Sequence, residues 1–502
     1  MNAISKFSLT AMLALLPLLS SAETKKTNII YILADDLGWT DTGTYGSRFY
    51  ETPNIDNLVV RGMKMTRYHN CQNCQPTRAA VMSGQYGPRT GVYTVGSIDR
   101  FNWKSRPLRP VDNVTSLPLE KITIAQSLKK AGYATAMFGK WHLGEDQKHH
   151  PSARGFDEAI VSDGAHFNFK TNPEVPHPKD QYLADFLTDR AEDFIRRRKD
   201  GPFFLYLPHF GVHSPFQAKE EDKKRFEGKA AVGGHRDPTY AGMITAVDRS
   251  VGRIVALLDE LKIADNTVVI FSSDNGGVGG YGAADGLIRD PAPVGQAEEK
   301  AKRKKGKAGG GDDDGGGDIK SITDNTPLRS GKGSLYEGGT RVPFIVSWPG
   351  VVKPGTTSEE PSIHVDLYPT FLDIAGAARP DDYILDGESL MPVLKDAASS
   401  LKRPAIYQHF PGYLGSGPGM WRTTPVGTIQ AGDWKLMEYF EDNRLELYNL
   451  KDDVGEKTNL ATTNEEKAKE LRTMLTSWRE QVGARMPTPN TVGKADKKAD
   501  RK

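Results

Sequence analysis

Asn28-Ile29-Ile30-Tyr31-Ile32-Leu33-Ala34-Asp35-Asp36 is an unbroken apolar run that stops on two carboxylates. A strand with one face in water alternates apolar and polar residues. A run without alternation fits a strand covered on both faces, as in a parallel sheet. Thr267-Val268-Val269-Ile270-Phe271-Ser272 has the same texture and leads into Ser273-Asp274-Asn275-Gly276-Gly277. Further strands are expected at residues 133–138, 203–207 and 344–348. Helices are expected between them, starting at Pro53 and over 123–130, 182–197 and 240–261. The last carries the stripe Met243, Val247, Val251, Ile254, Leu258 and Leu261. This alternation predicts an α/β fold with a doubly wound, mostly parallel sheet. Such sheets bind ligands beyond the C-terminal ends of their strands. Asp35, His142, His213 and Asp274 all fall at such ends, which points to one shared site.

The second informative stretch is Asn70-Cys71-Gln72-Asn73-Cys74-Gln75-Pro76-Thr77-Arg78-Ala79-Ala80-Val81-Met82-Ser83-Gly84, which holds both cysteines of the chain. Residues 79–82 read as the first turn of a helix. A group just before that turn lies where backbone N–H groups and the helix dipole favour negative charge, and Arg78 adds a fixed cation. The Cys71-x-x-Cys74 spacing also fits a redox pair, although that reading gives Pro76 and Arg78 no joint role.

The chain of 502 residues has 66 basic and 64 acidic side chains, so no global basic field suggests nucleic acid as a partner. Lys6, the apolar residues 7–19 and Ser20-Ser21-Ala22 read as a signal peptide over 1–22. The apolar stretch is shorter than the roughly 20 residues that span a bilayer. A periplasmic or secreted protein without a membrane span after cleavage is expected. Two cysteines are too few for a disulfide framework.

The catalytic part is expected over 23–391. It is interrupted at 289–318 by a low-complexity insertion with Lys302-Arg303-Lys304-Lys305 and Gly309-Gly310-Gly311-Asp312-Asp313-Asp314. Residues 88–118, rich in Gly, Pro and polar groups, read as a long surface loop. From about Pro392, short strands at 405–409, 426–430, 434–438 and 446–449 and one amphipathic helix over 465–482 predict a smaller C-terminal α+β domain, to 486. A disordered tail over 487–502 follows.

Asp35, Asp36, Asp274 and Asn275 form a hard-oxygen donor set suited to Ca²⁺ or Mg²⁺. Lys140, His142, His213 and Lys332 add cations and proton donors. With Arg78 around a nucleophile at Cys74, they would neutralise a tetrahedral anionic ester. His69 and His166 are left open as neighbours of the site. His149, His150, His177 and His235 sit in polar loops and are given no role.

Six segments stand in one order along residues 27–460. They are the Cys74–Gly84 stretch, Gly139-Lys140-Trp141-His142-Leu143-Gly144, Ser273-Asp274-Asn275-Gly276, Leu328-Arg329-Ser330-Gly331-Lys332-Gly333, Glu337-Gly338-Gly339-Thr340-Arg341-Val342-Pro343 and Val365-Asp366-Leu367-Tyr368-Pro369-Thr370. Together they resemble the arylsulfatase-like, formylglycine-dependent (type I) sulfatases of the alkaline-phosphatase superfamily. The resemblance implies an alkaline-phosphatase-like fold. It implies that a formylglycine-generating maturation enzyme converts Cys74 to Cα-formylglycine before folding. In the hydrated aldehyde one hydroxyl attacks the sulfur of a sulfate ester, and the other then expels sulfate by collapsing to the aldehyde. Asp35, Asp36, Asp274 and Asn275, with modified Cys74, would hold the metal, usually Ca²⁺. Arg78 and Lys140 would polarise the hydroxyls, and His142 would act as base in the collapse. His213 and Lys332 would grip the sulfate, with His213 preferred over His209 because Pro215 follows it.

Gln75 replaces the small residue usual in that family, and Thr77 stands where Ser is commoner. A phosphonate or phosphate ester hydrolase of the same superfamily would use the same nucleophile. A non-catalytic protein that binds sulfated glycans, with Cys74 unmodified, is the reading from a different class. Export and the aromatic-rich segments 413–421 and 100–103 suit a sulfated carbohydrate as substrate.

Overall fold

The computed structural model describes residues 25–279, 288–289, 322–417 and 420–491. Residues 1–22, read as a signal peptide, residues 290–318 of the expected insertion and the residues from 492 onward lie outside the described residues.

An eight-stranded sheet organises the larger part of the molecule. Its strands are β1 (Asn28–Ala34), β2 (Met63–Met65), β3 (Ala134–Gly139), β4 (Glu158–Val161), β5 (Phe203–Pro208), β6 (Thr267–Ser273), β7 (Phe344–Ser347) and β8 (Thr356–Ser358). The spatial order is β8-β2-β7-β6-β1-β5-β3-β4. The strands β6, β1, β5, β3 and β4 run parallel. β7 is antiparallel to both β6 and β2.

The apolar run in β1 is explained by its central place. Ile29, Tyr31 and Leu33 enter the core on one face, and Ile30, Ile32 and Ala34 enter the core on the other. The first core is closed by α2 (Cys74–Ser83), α3 (Ile124–Lys130) and α6 (Leu367–Ala375). The second is closed by α4 (Leu183–Arg198) and α5 (Pro238–Glu260), and α1 (Pro53–Val60) adds Ile55 and Leu58 to it. The helices thus fall on both faces, as a doubly wound sheet requires.

α3 starts at a capping box, in which Thr123 accepts from the Gln126 N–H and the Gln126 side chain accepts from the Thr123 N–H. α2 begins earlier than the sequence suggests. It starts at Cys74, preceded by extended Asn73. Pro76 does not prevent this, because an N–H in the first helical turn has no intrahelical acceptor to lose.

The C-terminal part is an antiparallel sheet of β9 (Ile406–Phe410), β10 (Val426–Ala431), β11 (Trp434–Tyr439) and β12 (Leu445–Asn449), in that order. Helix α7 (Glu465–Gln481) packs on it through Leu471, Leu475 and Trp478. That core also takes in Ala80, Tyr86, Ile363 and Val365 from the larger part, so one apolar cluster joins the two.

Two expectations differ from the structure. Residues 88–118 are not a surface loop throughout, since Val92, Tyr93 and Leu117 are buried. Gly and Pro reported the lack of regular structure there, which is a separate property from exposure. Within the segment read as tail, Thr488–Pro489 pairs with Leu108–Arg109, and the Asn490 side chain donates to the Lys104 and Arg106 carbonyls.

Candidate active site

Four neighbouring strands deliver their following residues to one edge of the sheet. Asp35 and Asp36 follow β1, Asp274 and Asn275 follow β6, Lys140 follows β3, and His213 lies beyond β5. α2 brings Cys74 and Arg78 from the side, and the 328–334 turn brings Lys332. All nine are buried.

Arg78 is the hub. Its Nε and Nη2 both donate to Asp274 Oδ2, at 3.0 and 2.7 Å. Nη2 is also 3.3 Å from Asp35 Oδ2, and Nη1 donates to the Lys140 carbonyl at 2.6 Å. Lys140 Nζ lies 2.8 Å from Asp35 Oδ2 and 3.8 Å from Cys74 Sγ. Lys332 Nζ donates to Asp36 Oδ2 at 2.9 Å, and Asn275 Nδ2 donates to Asp36 Oδ1 at 2.8 Å. His213 Nδ1 donates to the Ser214 carbonyl, which leaves Nε2 facing Asp36 Oδ2 at 3.7 Å. His142 stands at the same strand end as Lys140, half-buried, with left-handed backbone (φ 61°). Asp36 (φ 64°) and Ser330 (φ 67°) share that conformation. Non-glycine residues adopt it at a cost and concentrate it at functional sites.

The charges respond to one another. Burial would raise Asp35, but Lys140 and Arg78 outweigh it and hold the carboxyl well below its ordinary range. Burial and the neighbouring Asp35 push Asp274 up to about 7 against the pull of Arg78. Burial raises the Cys74 thiol above its ordinary value despite Lys140 and Lys332. It also pushes Cys71 up to about 12. Redox pairs use lowered thiols, so both shifts run against that chemistry. Cys71 Sγ instead lies 3.2 Å from His364 Nε2.

A hard cation fits the oxygen set. Donor atoms of Asp35, Cys74 and Asp274 lie within 4.8 Å of one another, as do those of Asp35, Asp36 and His213. Asp35 Oδ1 and Asn275 Oδ1 are buried with no hydrogen-bond donor. Orphaned oxygens of this kind are costly unless a ligand meets them, and carboxylate and amide oxygens suit Ca²⁺ or Mg²⁺ over softer metals.

The remaining histidines separate clearly. His166 Nε2 donates to the His213 carbonyl at 2.8 Å, so it backs the site, and burial lowers it to about 4. His209 pairs with Ser250 on α5, and His69 pairs with Glu337; neither contacts the carboxylate cluster. The sequence reading missed two supports. Asn325 ties Gly277 to Ser330 through its side chain, and Tyr240 donates to Asp41 and contacts the Asp36 carbonyl. Neither sits in a motif at a strand end, and Tyr240 read only as the start of a helix. The 88–118 segment is the third omission. Gln72, Asn73 and Gln75 donate to Tyr93, Thr94 and Thr115, so it walls the cysteine stretch.

Residues 27–377 match the family model described as sulfatase, and residues 331–482 match that described as N-sulphoglucosamine sulphohydrolase, C-terminal. The chain is 32% identical to a sulfatase of Formosa agariphila, over 92% of this chain and 90% of that one. It is 32% identical to human N-acetylgalactosamine-6-sulfatase, over 77% of this chain and 69% of the relative. The solved structure of Ps i-CgsB with k-i-k-neocarrahexaose superposes with a TM-score of 0.71 at 29% identity, covering 90% of this chain and 93% of that one.

Proposed function

The chain belongs to the sulfatase family, and we propose that Cys74, matured to Cα-formylglycine, is the nucleophile with which it hydrolyses sulfate esters of a carbohydrate. The enzyme is a sulfuric ester hydrolase. The observation that carries the assignment of Cys74 is its position. It opens α2 at the centre of a buried ring of Arg78, Lys140, Asp35 and Asp274. A raised thiol is a poor nucleophile there. The hydrate of formylglycine supplies one hydroxyl for attack at sulfur and a second for release of sulfate.

Arg78 and Lys140 orient and polarise the group at position 74. Arg78 is held by Asp274 and cannot lose its charge, which makes it a fixed electrostatic support. Asp35, Asp36, Asp274 and Asn275 would hold one Ca²⁺, with Mg²⁺ the alternative, and a cation there would offset charge on the sulfuryl oxygens. Lys332 and His213, both beside Asp36, take the sulfate group. The carbonyl acceptor on Nδ1 fixes the His213 tautomer when neutral, and protonation of Nε2 equips it to give a proton to the leaving oxygen. His142 takes a proton in sulfate release.

Maturation must precede folding. Cys74 is 2% exposed and lies within a helix, where a modifying enzyme could not reach it. The maturation enzyme would therefore read Cys74-Gln75-Pro76-Thr77-Arg78 as an extended chain. The N-terminal residues support export to the periplasm or beyond. Among the described residues no helix is long and apolar enough to cross a membrane.

A carbohydrate substrate is supported by the named relatives and by the solved glycan complex. The test is twofold. Intact-peptide mass across Cys74 should give the formylglycine form rather than cysteine. Sulfate release from a panel of sulfated mono- and polysaccharides should then exceed phosphate release from matched phosphate esters. An unmodified Cys74 in active enzyme overturns the nucleophile, and a preference for phosphate overturns the substrate class.

A further inference from the structure

The turn that carries Lys332 is not held by the larger part of the molecule alone. It packs against Glu337-Gly338-Gly339-Thr340, and the approach is close enough to require both glycines. A Cβ on Gly338 would lie 2.4 Å from the Ser330 carbonyl oxygen, and one on Gly339 would lie 2.0 Å from that of Ser334. The same turn reaches the metal-side residues, because the Gly276 N–H, next to Asn275, donates to the Gly339 carbonyl at 3.0 Å. Glu337 therefore anchors a second link between Lys332 and Asn275, beside the direct bond from the Lys332 N–H to the Gly277 carbonyl at 3.1 Å.

Glu337 is fully buried and is gripped from the C-terminal sheet. Lys435, on β11, lies 2.9 Å from Glu337 Oε1 and 2.8 Å from Glu456 Oε1. It also donates to the Leu335 carbonyl at 2.8 Å. Glu456, beyond β12, accepts from the Glu337 backbone N–H at 2.7 Å. The C-terminal part thus holds both the carboxylate and the backbone of one residue. His69 and Arg341 complete the cluster at 3.0 and 3.4 Å from Glu337 Oε2. Burial would raise Glu337, but Lys435 and His69 outweigh it and keep it ionised. Breaking one partner of such a cluster leaves an uncompensated buried charge, so the arrangement is held tightly.

We propose that Lys435 is a positioning residue for sulfate binding: with Glu456 it fixes Glu337, and through the Gly338-Gly339 turn it sets Lys332 against the metal-side loop. Lys435 and Glu456 would then support the catalytic apparatus without being ligands of the sulfate. This rests on the reading of Lys332 as a sulfate ligand.

The test uses the full chain and inorganic sulfate as the probe, with affinity read by titration calorimetry and folding by thermal denaturation. Lys435→Met removes the charge and keeps most of the length. Lys435→Arg keeps the charge. Glu456→Gln is the milder second variant should Lys435→Met not fold. Folded Lys435→Met, or Glu456→Gln in its place, is expected to weaken sulfate binding at least tenfold, with Lys435→Arg within threefold of the parent. On a turned-over sulfate ester the loss should appear mainly in KM. Parent-like sulfate affinity in a folded charge-removing variant overturns the proposal, as does a Lys435→Arg protein as weak as Lys435→Met. Lys332→Ala separates the premise: if it binds sulfate normally, the reading of Lys332 itself is wrong.

Discussion

Arg78 and Lys140 both carry positive charge into the ring around Cys74, but they are not interchangeable. Arg78 uses two nitrogens on Asp274 and a third on the Lys140 carbonyl. A lysine has one nitrogen and cannot reproduce that fork. Arg78→Lys is expected to lower kcat/KM for the sulfate ester by about 10²-fold, the scale of losing a preorganised donor. Near-parental turnover would show that charge alone suffices. The oxygen set makes a separate prediction. EGTA should lower both the Tm and the activity of the native protein, and added Ca²⁺ should restore both, since a ligand bound only by the folded state stabilises it. In Asp274→Asn the Tm should no longer respond to Ca²⁺. A native Tm indifferent to EGTA and Ca²⁺ would remove calcium from the reading.

At the level of elements, β1 matters most because it is covered on both faces and ends on two site carboxylates. Ile32 is completely buried and belongs to the core beneath α4 and α5. Ile32→Ala should destabilise the protein by about 2–5 kcal/mol through lost burial and the cavity left behind, measurable as a shift in denaturant midpoint. A loss under about 1 kcal/mol would mean that the surroundings collapse into the space. α2 shows where local signals ran short. The sequence reading puts the first turn at residues 79–82, yet the helix starts at Cys74, ahead of Pro76. A proline in the first turn breaks no helical bond, so it could not tell the two starts apart. The offset matters for the chemistry, because it puts the proposed nucleophile, Cys74, on the helix itself.

The whole molecule carries several histidines that burial keeps neutral. Burial lowers His209 and His409 to about 4 and His364 to about 3. In the unfolded chain they would titrate near 6.5. As pH falls below that value the unfolded state takes up protons that the folded state refuses, so stability is lost. The contribution is complete above about pH 6.5 and disappears as pH falls towards about 3–4. These residues come from both parts of the molecule, so the effect should appear as one cooperative drop. Tm is expected to change little between pH 7 and 8 and to fall steadily from pH 6 to 4. A Tm that rises on acidification across that range would contradict the buried neutral assignment.

Much of this was legible in residues alone. Unbroken apolar runs ending in Asp35-Asp36 and Asp274-Asn275 marked central parallel strands, because only a strand covered on both faces can dispense with alternation. Their position at strand ends then grouped Asp35, Asp274 and His213 before any coordinate was known, since strand polarity is shared along a parallel sheet. Pairings distant in the chain were not legible. That residues 88–118 fold over Cys74 and that Lys435 closes on Glu337 depend on which surfaces meet after folding. A local pattern reports the neighbours along the chain, and burial of a charge is decided by neighbours across it.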